Sequence, residues 1–309
     1  LKRWHKLLLL VSFLVPLLTV TACSSSNGKE AGGGPVQVTA TTGMIADIVK
    51  NVGGKYVQVT GLMGPGVDPH LYKASQGDIE KLDDADIVFY NGLHLEGKMT
   101  DILTKMGRSK PVIPVTEKID KKNLLKITGG QYDPHVWFDV KLWMKATERV
   151  KEGLIEIDPA HKKEYEQQTE AYLQKLAELD QYTRDQLKQI PEDRRVLVTA
   201  HDAFGYFGRA YQVDVVGLQG ISTASEYGLK DVQRIVNLLT ERKIKAVFVE
   251  SSVPKRSIEA VVQGARHKNH QVTIGGQLYS DAMGQPGTEE GTYIGMVRHN
   301  VDTIVKSLK

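Results

Sequence analysis

The sequence predicts an α/β protein of two lobes, each built on parallel sheets flanked by helices and joined by one long rigid linking helix. Three observations carry this expectation. Short apolar or β-branched runs alternate with helix-like segments from residue 35 onward, and the alternation repeats in a second half. Between the halves, residues 159–190 hold no Gly and no Pro after Pro159, so nothing interrupts a helix. Four residues able to bind a metal, two from each half, each follow a strand-like run. Ligands of open α/β sheets gather at that edge.

The elements follow in chain order. Residues 1–22 read as a lipoprotein signal peptide: Lys2, Arg3 and Lys6 form a basic start, and Leu7 to Leu18 is apolar apart from Ser12 and Pro16. That stretch is too short to span a membrane and has the flanks of an export signal. It ends in Val20-Thr21-Ala22-Cys23, which resembles a bacterial lipobox. Cys23 is the only cysteine, so no internal disulfide forms, and the expected role of Cys23 is lipid attachment. Acyl chains such as palmitate each add about 0.8 kcal/mol per buried methylene, and several on one Cys make a stable anchor. Residues 23–34, rich in Ser and Gly, read as a flexible tether.

An N-terminal α/β lobe is expected over residues 35–157. Its strand candidates are Val36–Ala40, Tyr56–Leu62, Ile87–Tyr90 and Val112–Val115; Met44–Val52 and Val140–Ile157 read as helices. The linking helix is expected over 158–191. Asp158-Pro159 forms an N-cap and N1 pair, Tyr165, Tyr172, Leu173, Leu176 and Leu179 recur at helical spacing, and Pro191 ends the run. About 30 residues at 1.5 Å each would give a helix of about 45 Å. The C-terminal α/β lobe, 192–309, offers strands at Val196–Ala200, Val213–Val216, Ala246–Glu250 and Val272–Gly275. Its helices are Leu229–Glu241, Ser257–His267 and Thr292–Leu308.

Charge excludes one class of partner. The pI of 8.7 suggests a basic protein. Removing residues 1–22 takes away three bases and no acid, which lowers Lys+Arg from 40 to 37 against 37 Asp+Glu. A neutral chain gives nucleic-acid binding no support.

The candidate site is His70, His135, His201 and Asp281, expected in short polar loops within Asp68-Pro69-His70, Asp133-Pro134-His135, Ala200-His201-Asp202 and Ser280-Asp281. Three imidazoles and a carboxylate are an ordinary set for a divalent transition metal. Their spacings are too long for a local finger, so the fold must bring them together. The plainer reading makes each Asp-Pro a helix cap with an incidental His. Asp202 is an alternative ligand to His201, and His94 follows a strand and could line the cleft. His161, His267, His270 and His299 sit among polar residues. With ordinary pKa values near 6.5, three ligating imidazoles would take up as many as three protons between about pH 7 and about pH 5 as metal is lost.

Gly64-Pro65-Gly66-Val67-Asp68-Pro69-His70, Asp133-Pro134-His135-Val136-Trp137, Thr199-Ala200-His201-Asp202-Ala203-Phe204 and Tyr279-Ser280-Asp281-Ala282-Met283 together resemble the manganese/zinc-binding lipoproteins of bacterial ABC transporters. The similarity runs over essentially the whole mature chain and is closest to the manganese-binding lipoproteins of Gram-positive bacilli. It implies two α/β lobes with a metal buried between them and His70, His135, His201 and Asp281 as ligands. It further implies a monomeric receptor, lipid-anchored on the outer face of the cell membrane, with an ABC permease and its cytoplasmic ATPase as partners. Mn(II) or Zn(II) would be its transported ligand. Strictly manganese-selective members often place Glu where this chain has His201, so the third imidazole also accommodates zinc. Dedicated zinc-uptake members carry a His- and acid-rich loop before the second histidine, whereas Glu117–Gln131 has lysines and no histidine. The expected function is manganese capture, with zinc as the alternative. For the rival readings of metallohydrolase and adhesin, the chain carries neither an HExxH motif nor an adhesive motif.

Overall fold

The computed structural model describes residues 34–309. The signal peptide, Cys23 and the tether up to residue 33 lie outside the described residues. The N-terminal half contains β1 (Val36–Ala40), α1 (Gly43–Gly53), β2 (Val57–Gly61), α2 (Gln76–Asp84), β3 (Ile87–Tyr90), α3 (Thr100–Met106), β4 (Val112–Pro114) and α4 (Val140–Ile157). Its four strands form one parallel sheet in the order β2-β1-β3-β4, with Val38 beside both Val59 and Ile87. Parallel strands must be covered on both faces, and these are. α1 and α4 pack on one side, and α2 and α3 close a second, smaller cluster around Leu82, Val88 and Leu103 on the other.

α5 (Lys162–Leu187) links the lobes. The helix expected from Pro159 onward starts as a tight 3-10 turn, Pro159–His161, and continues as 26 α-helical residues, about 39 Å long. Asp158 does not cap the turn with its side chain; its carboxylate instead accepts from Tyr165 Oη at 2.6 Å and lies 2.7 Å from His161 Nδ1. Tyr165, Thr169, Tyr172, Leu176, Leu179, Thr183 and Leu187 form the buried stripe. Each fully buried Leu here stabilises by roughly 1.5–3 kcal/mol. That stripe packs on α1 and α4 of the first lobe and on α9 (Tyr293–Leu308) of the second. Tyr172 Oη donates to Asp47 of α1 at 2.8 Å, and Tyr182 Oη donates to Asp302 of α9 at 2.5 Å.

The C-terminal half adds β5 (Val196–His201), α6 (Gly205–Tyr211), β6 (Asp214–Gln219), α7 (Leu229–Glu241), β7 (Ala246–Glu250), α8 (Arg256–His267) and β8 (Thr273–Leu278) before α9. β5 pairs parallel with β6, and β7 with β8. Every residue of β5 and β7 is buried. The two strands lie alongside each other, and their carboxyl ends meet where the His201 N–H donates to Glu250 Oε1 at 2.8 Å.

One hydrophobic core runs through both lobes, from Val38 and Phe89 through Trp143 and Leu176 to Phe207 and Val301. A continuous helix inside a shared core leaves no loop to absorb the φ/ψ changes of a hinge. Small-angle scattering profiles of metal-free and metal-loaded protein should therefore superimpose. A marked fall in radius of gyration on loading would contradict this.

Candidate metal centre

His70 sits in the loop after β2, His135 in the connection between β4 and α4, His201 at the last position of β5, and Asp281 three residues beyond β8. The expectation of four short polar loops is corrected at His201, while the burial implied by the resemblance is seen at all four positions. His201 belongs to a strand, and all four side chains are buried, at 5 %, 0 %, 0 % and 2 % exposure in chain order. They are buried because both lobes close over them, which no local composition reveals.

The two Asp-Pro-His segments fold alike. Asp68 Oδ1 accepts the His70 N–H and Asp133 Oδ1 accepts the His135 N–H, each at 2.9 Å. Proline between them has no N–H and a fixed φ, which favours this Asx turn. The aspartates thus turn the chain at the histidine rather than cap a following α-helix. Beyond that turn they diverge. Asp133 Oδ1 also lies 2.7 Å from Nδ1 of its own histidine. Asp68 Oδ2 instead accepts from Thr223 Oγ1 at 2.5 Å, across the cleft. Asp281 is held by its neighbours: Trp137 Nε1 donates to the Ser280 carbonyl at 3.0 Å, and the Asn300 amide clamps both main-chain groups of Tyr279.

One atom from each of the four residues converges, all within 4.8 Å of one another. The Nε2 atoms of His70 and His201 lie 3.6 and 3.3 Å from Asp281 Oδ2; His135 Nε2 lies 3.5 Å from Oδ1 and 3.2 Å from His70 Nε2. A tetrahedral ion with bonds of about 2.0–2.2 Å has edges of about 3.3–3.6 Å between its ligands. Both Asp281 oxygens are buried without a hydrogen-bond donor. A buried carboxylate with no donor is costly unless a cation completes it, a metal ion or, in its absence, a protonated imidazole. The donor set and its spacing therefore fit one divalent ion.

Electrostatics separates the four side chains. Burial pushes the His70 imidazole down to about 4, against the pull of Asp281. Burial also opposes protonation of His201, but the Glu250 and Asp281 carboxylates outweigh it and raise its pKa well above the usual 6.5. Burial raises the Asp281 carboxyl, yet the imidazoles, His201 foremost, hold it well below the ordinary carboxylate range.

The remaining candidates lie elsewhere. Asp202 packs beside Gly217 of β6 and is not in the cluster. His94 is exposed, with a left-handed φ of 65°. His161 stacks on Tyr56, while His270 and His299 contact the carbonyls of Ile244 and Gln277. Sequence reasoning missed the contacts of two carboxylates with the clustered histidines, Asp133 with His135 and Glu250 with His201. The signal for Glu250 was a lone acid closing the all-apolar run Ala246–Val249.

Two α/β lobes enclose a buried three-histidine, one-aspartate cluster whose donor atoms could hold a divalent cation. The chain belongs to the family described as zinc-uptake complex component A periplasmic, whose model matches residues 38–307. It is 54 % identical over 302 residues to the manganese-binding lipoprotein MntA of Bacillus subtilis (strain 168), covering 97 % of this chain and 99 % of the relative. It is 50 % identical over 288 residues to the zinc-binding protein TroA of Treponema pallidum (strain Nichols), covering 93 % of each. The solved structure of the periplasmic zinc binding protein TroA from Treponema pallidum matches with a TM-score of 0.88 at 50 % identity, over 89 % of this chain and 99 % of that one.

Proposed function

We propose that this chain is an extracytoplasmic receptor that captures one Mn(II) ion through His70, His135, His201 and Asp281 and delivers it to an ABC permease driven by a cytoplasmic ATPase. The observation that carries the reading is the Asp281 carboxylate, buried without a donor and faced by three imidazole nitrogens. The relatives named for manganese or zinc binding support the same class of cargo. Manganese comes first because the manganese-binding relative is the more similar of the two. Zinc is the second reading, favoured by the third imidazole, since nitrogen-rich sites suit zinc. One chain supplies all four ligands, so a monomer suffices. No catalytic step is assigned, because four protein ligands close a tetrahedral ion to the water that a hydrolase must activate.

Uptake tests the reading. Cells deprived of this chain should accumulate less manganese from a metal-poor medium, and wild type should restore uptake while Asp281→Ala should not. Equal restoration by the variant would overturn the proposal.

The receptor is proposed to be held at the membrane by acyl chains on Cys23, with residues 23–34 as tether. No helix among the described residues is long and apolar enough to cross a membrane. Cys23→Ala should abolish incorporation of labelled fatty acid and leave metal binding within about twofold of wild type. Persistent labelling would remove Cys23 as the anchor.

A further inference from the structure

Glu250 is the last residue of β7, and its side chain is fully covered. Its two oxygens grip one residue. Oε1 accepts the main-chain N–H of His201 at 2.8 Å, and Oε2 lies 2.5 Å from the ring Nδ1 of the same residue. The two atoms are close, but neither Nδ1 nor Oε2 meets hydrogen-bond geometry with any partner, and among the described residues no Lys or Arg lies within salt-bridge distance of Glu250. A buried carboxylate with no Lys or Arg beside it is costly, and His201 is the one group its two oxygens face.

The two atoms at 2.5 Å limit where the ring proton resides. A bare Nδ1 lone pair beside a carboxylate at that distance would be repelled, so Nδ1 carries a proton. Neutral imidazole carries one ring proton. Held on Nδ1, it leaves the Nε2 lone pair free, and Nε2 is the atom aimed into the cluster, 3.3 Å from Asp281. Asp133 plays a comparable part at His135, where its Oδ1 alone meets both the main-chain N–H, at 2.9 Å, and the ring Nδ1, at 2.7 Å. Among the described residues no carboxylate other than Asp281 comes within 4.0 Å of the His70 ring.

We infer that Glu250 is a positioning residue of the metal centre: it holds the Nδ1 proton of His201 and thereby turns the Nε2 lone pair toward the ion. The inference rests on the proposed reading of His201 as a ligand. Carboxylates that take the outer ring proton of a ligating histidine fix its tautomer, and their loss weakens metal binding by about 10–100-fold. Glu250→Gln cannot reproduce the grip. One amide oxygen cannot serve both the main-chain N–H and Nδ1–H, and its NH2 facing Nδ1 would drive the ring proton onto Nε2, into the metal's place.

The test is a double-mutant cycle read by zinc titration of the full chain. Glu250→Gln should weaken zinc binding by about 10–100-fold in wild type and by less than about 3-fold in a His201→Ala background. Equal losses in both backgrounds, or no loss in wild type, would overturn the role assigned to Glu250 while leaving the metal site intact. Wild-type affinity in His201→Ala alone would show instead that the ligand reading has failed. A second measurement needs no variant to fold. In zinc-loaded wild type, nitrogen-15 spectra of the His201 ring should show a downfield, slowly exchanging proton on Nδ1. A proton on Nε2, or no protected ring proton, would overturn the inference.

Discussion

Asp281→Asn is expected to weaken metal binding by at least about 100-fold, and manganese more than zinc. Asp281 contributes the only formal negative charge among the four ligand atoms, and both its oxygens face the imidazoles. Four-ligand zinc sites bind with roughly 10–16 kcal/mol, so one ligand accounts for on the order of 3 kcal/mol, or about two powers of ten. The amide keeps the shape and one carbonyl oxygen but loses the charge, and it cannot act as a bidentate ligand. Manganese relies on hard oxygen donors, whereas zinc retains three good nitrogens, hence the unequal loss. Calorimetric titration of metal-free variant and wild type with each ion measures the effect, with circular dichroism as the check on folding. Unchanged affinity for both metals would remove Asp281 from the site.

Metal affinity is also expected to rise about tenfold per pH unit near neutrality, with about one proton released per ion bound at pH 7. The released proton is the one on His201. Burial works against it, but Glu250 and Asp281 on either side hold the metal-free imidazole protonated to well above pH 6.5. A cation at Nε2 must displace that proton, so affinity grows as pH climbs toward the raised pKa and levels off above it. His70 behaves oppositely. Burial brings it down to about 4, so it is neutral at pH 7 and takes up a proton only in acid far below the range where His201 competes. The expectation of up to three protons bunched between about pH 7 and about pH 5 is thereby spread over a wider range. Calorimetry in buffers of different ionisation enthalpy counts the protons, and His201→Ala should flatten the profile. Zero proton release at pH 7 in wild type would show that metal-free His201 is neutral.

Much of the scaffold was legible because apolar runs report burial directly. Val36–Ala40, Ile87–Tyr90 and Ala246–Glu250 are strands over the expected residues, and Val140–Ile157 and Leu229–Glu241 are helices likewise. α2 escaped notice because only Asp78 and Leu82 are buried along it; its one local signal is the capping box of Ser75 with Asp78. α3 and α6 are seven residues each, too short to show a period, and tertiary packing holds them. The four convergent side chains were legible from residue type and their position after strands. Their supports were not. Asp133 looked like a cap, Glu250 like any acid at a strand end, and the Asp68–Thr223 contact joins residues 155 apart in sequence. Such pairs follow from how two lobes close on each other, which no window of sequence contains.

His70, His135, His201 and Asp281 are proposed to surround one ion. Anomalous diffraction from crystals of the manganese-loaded protein, collected at an energy where manganese scatters strongly, tests it directly. A single strong peak per chain is expected, about 2.0–2.3 Å from Nε2 of each of the three histidines and from a carboxylate oxygen of Asp281. A peak elsewhere on the chain, or one that leaves any of the four residues beyond bonding distance, would contradict it.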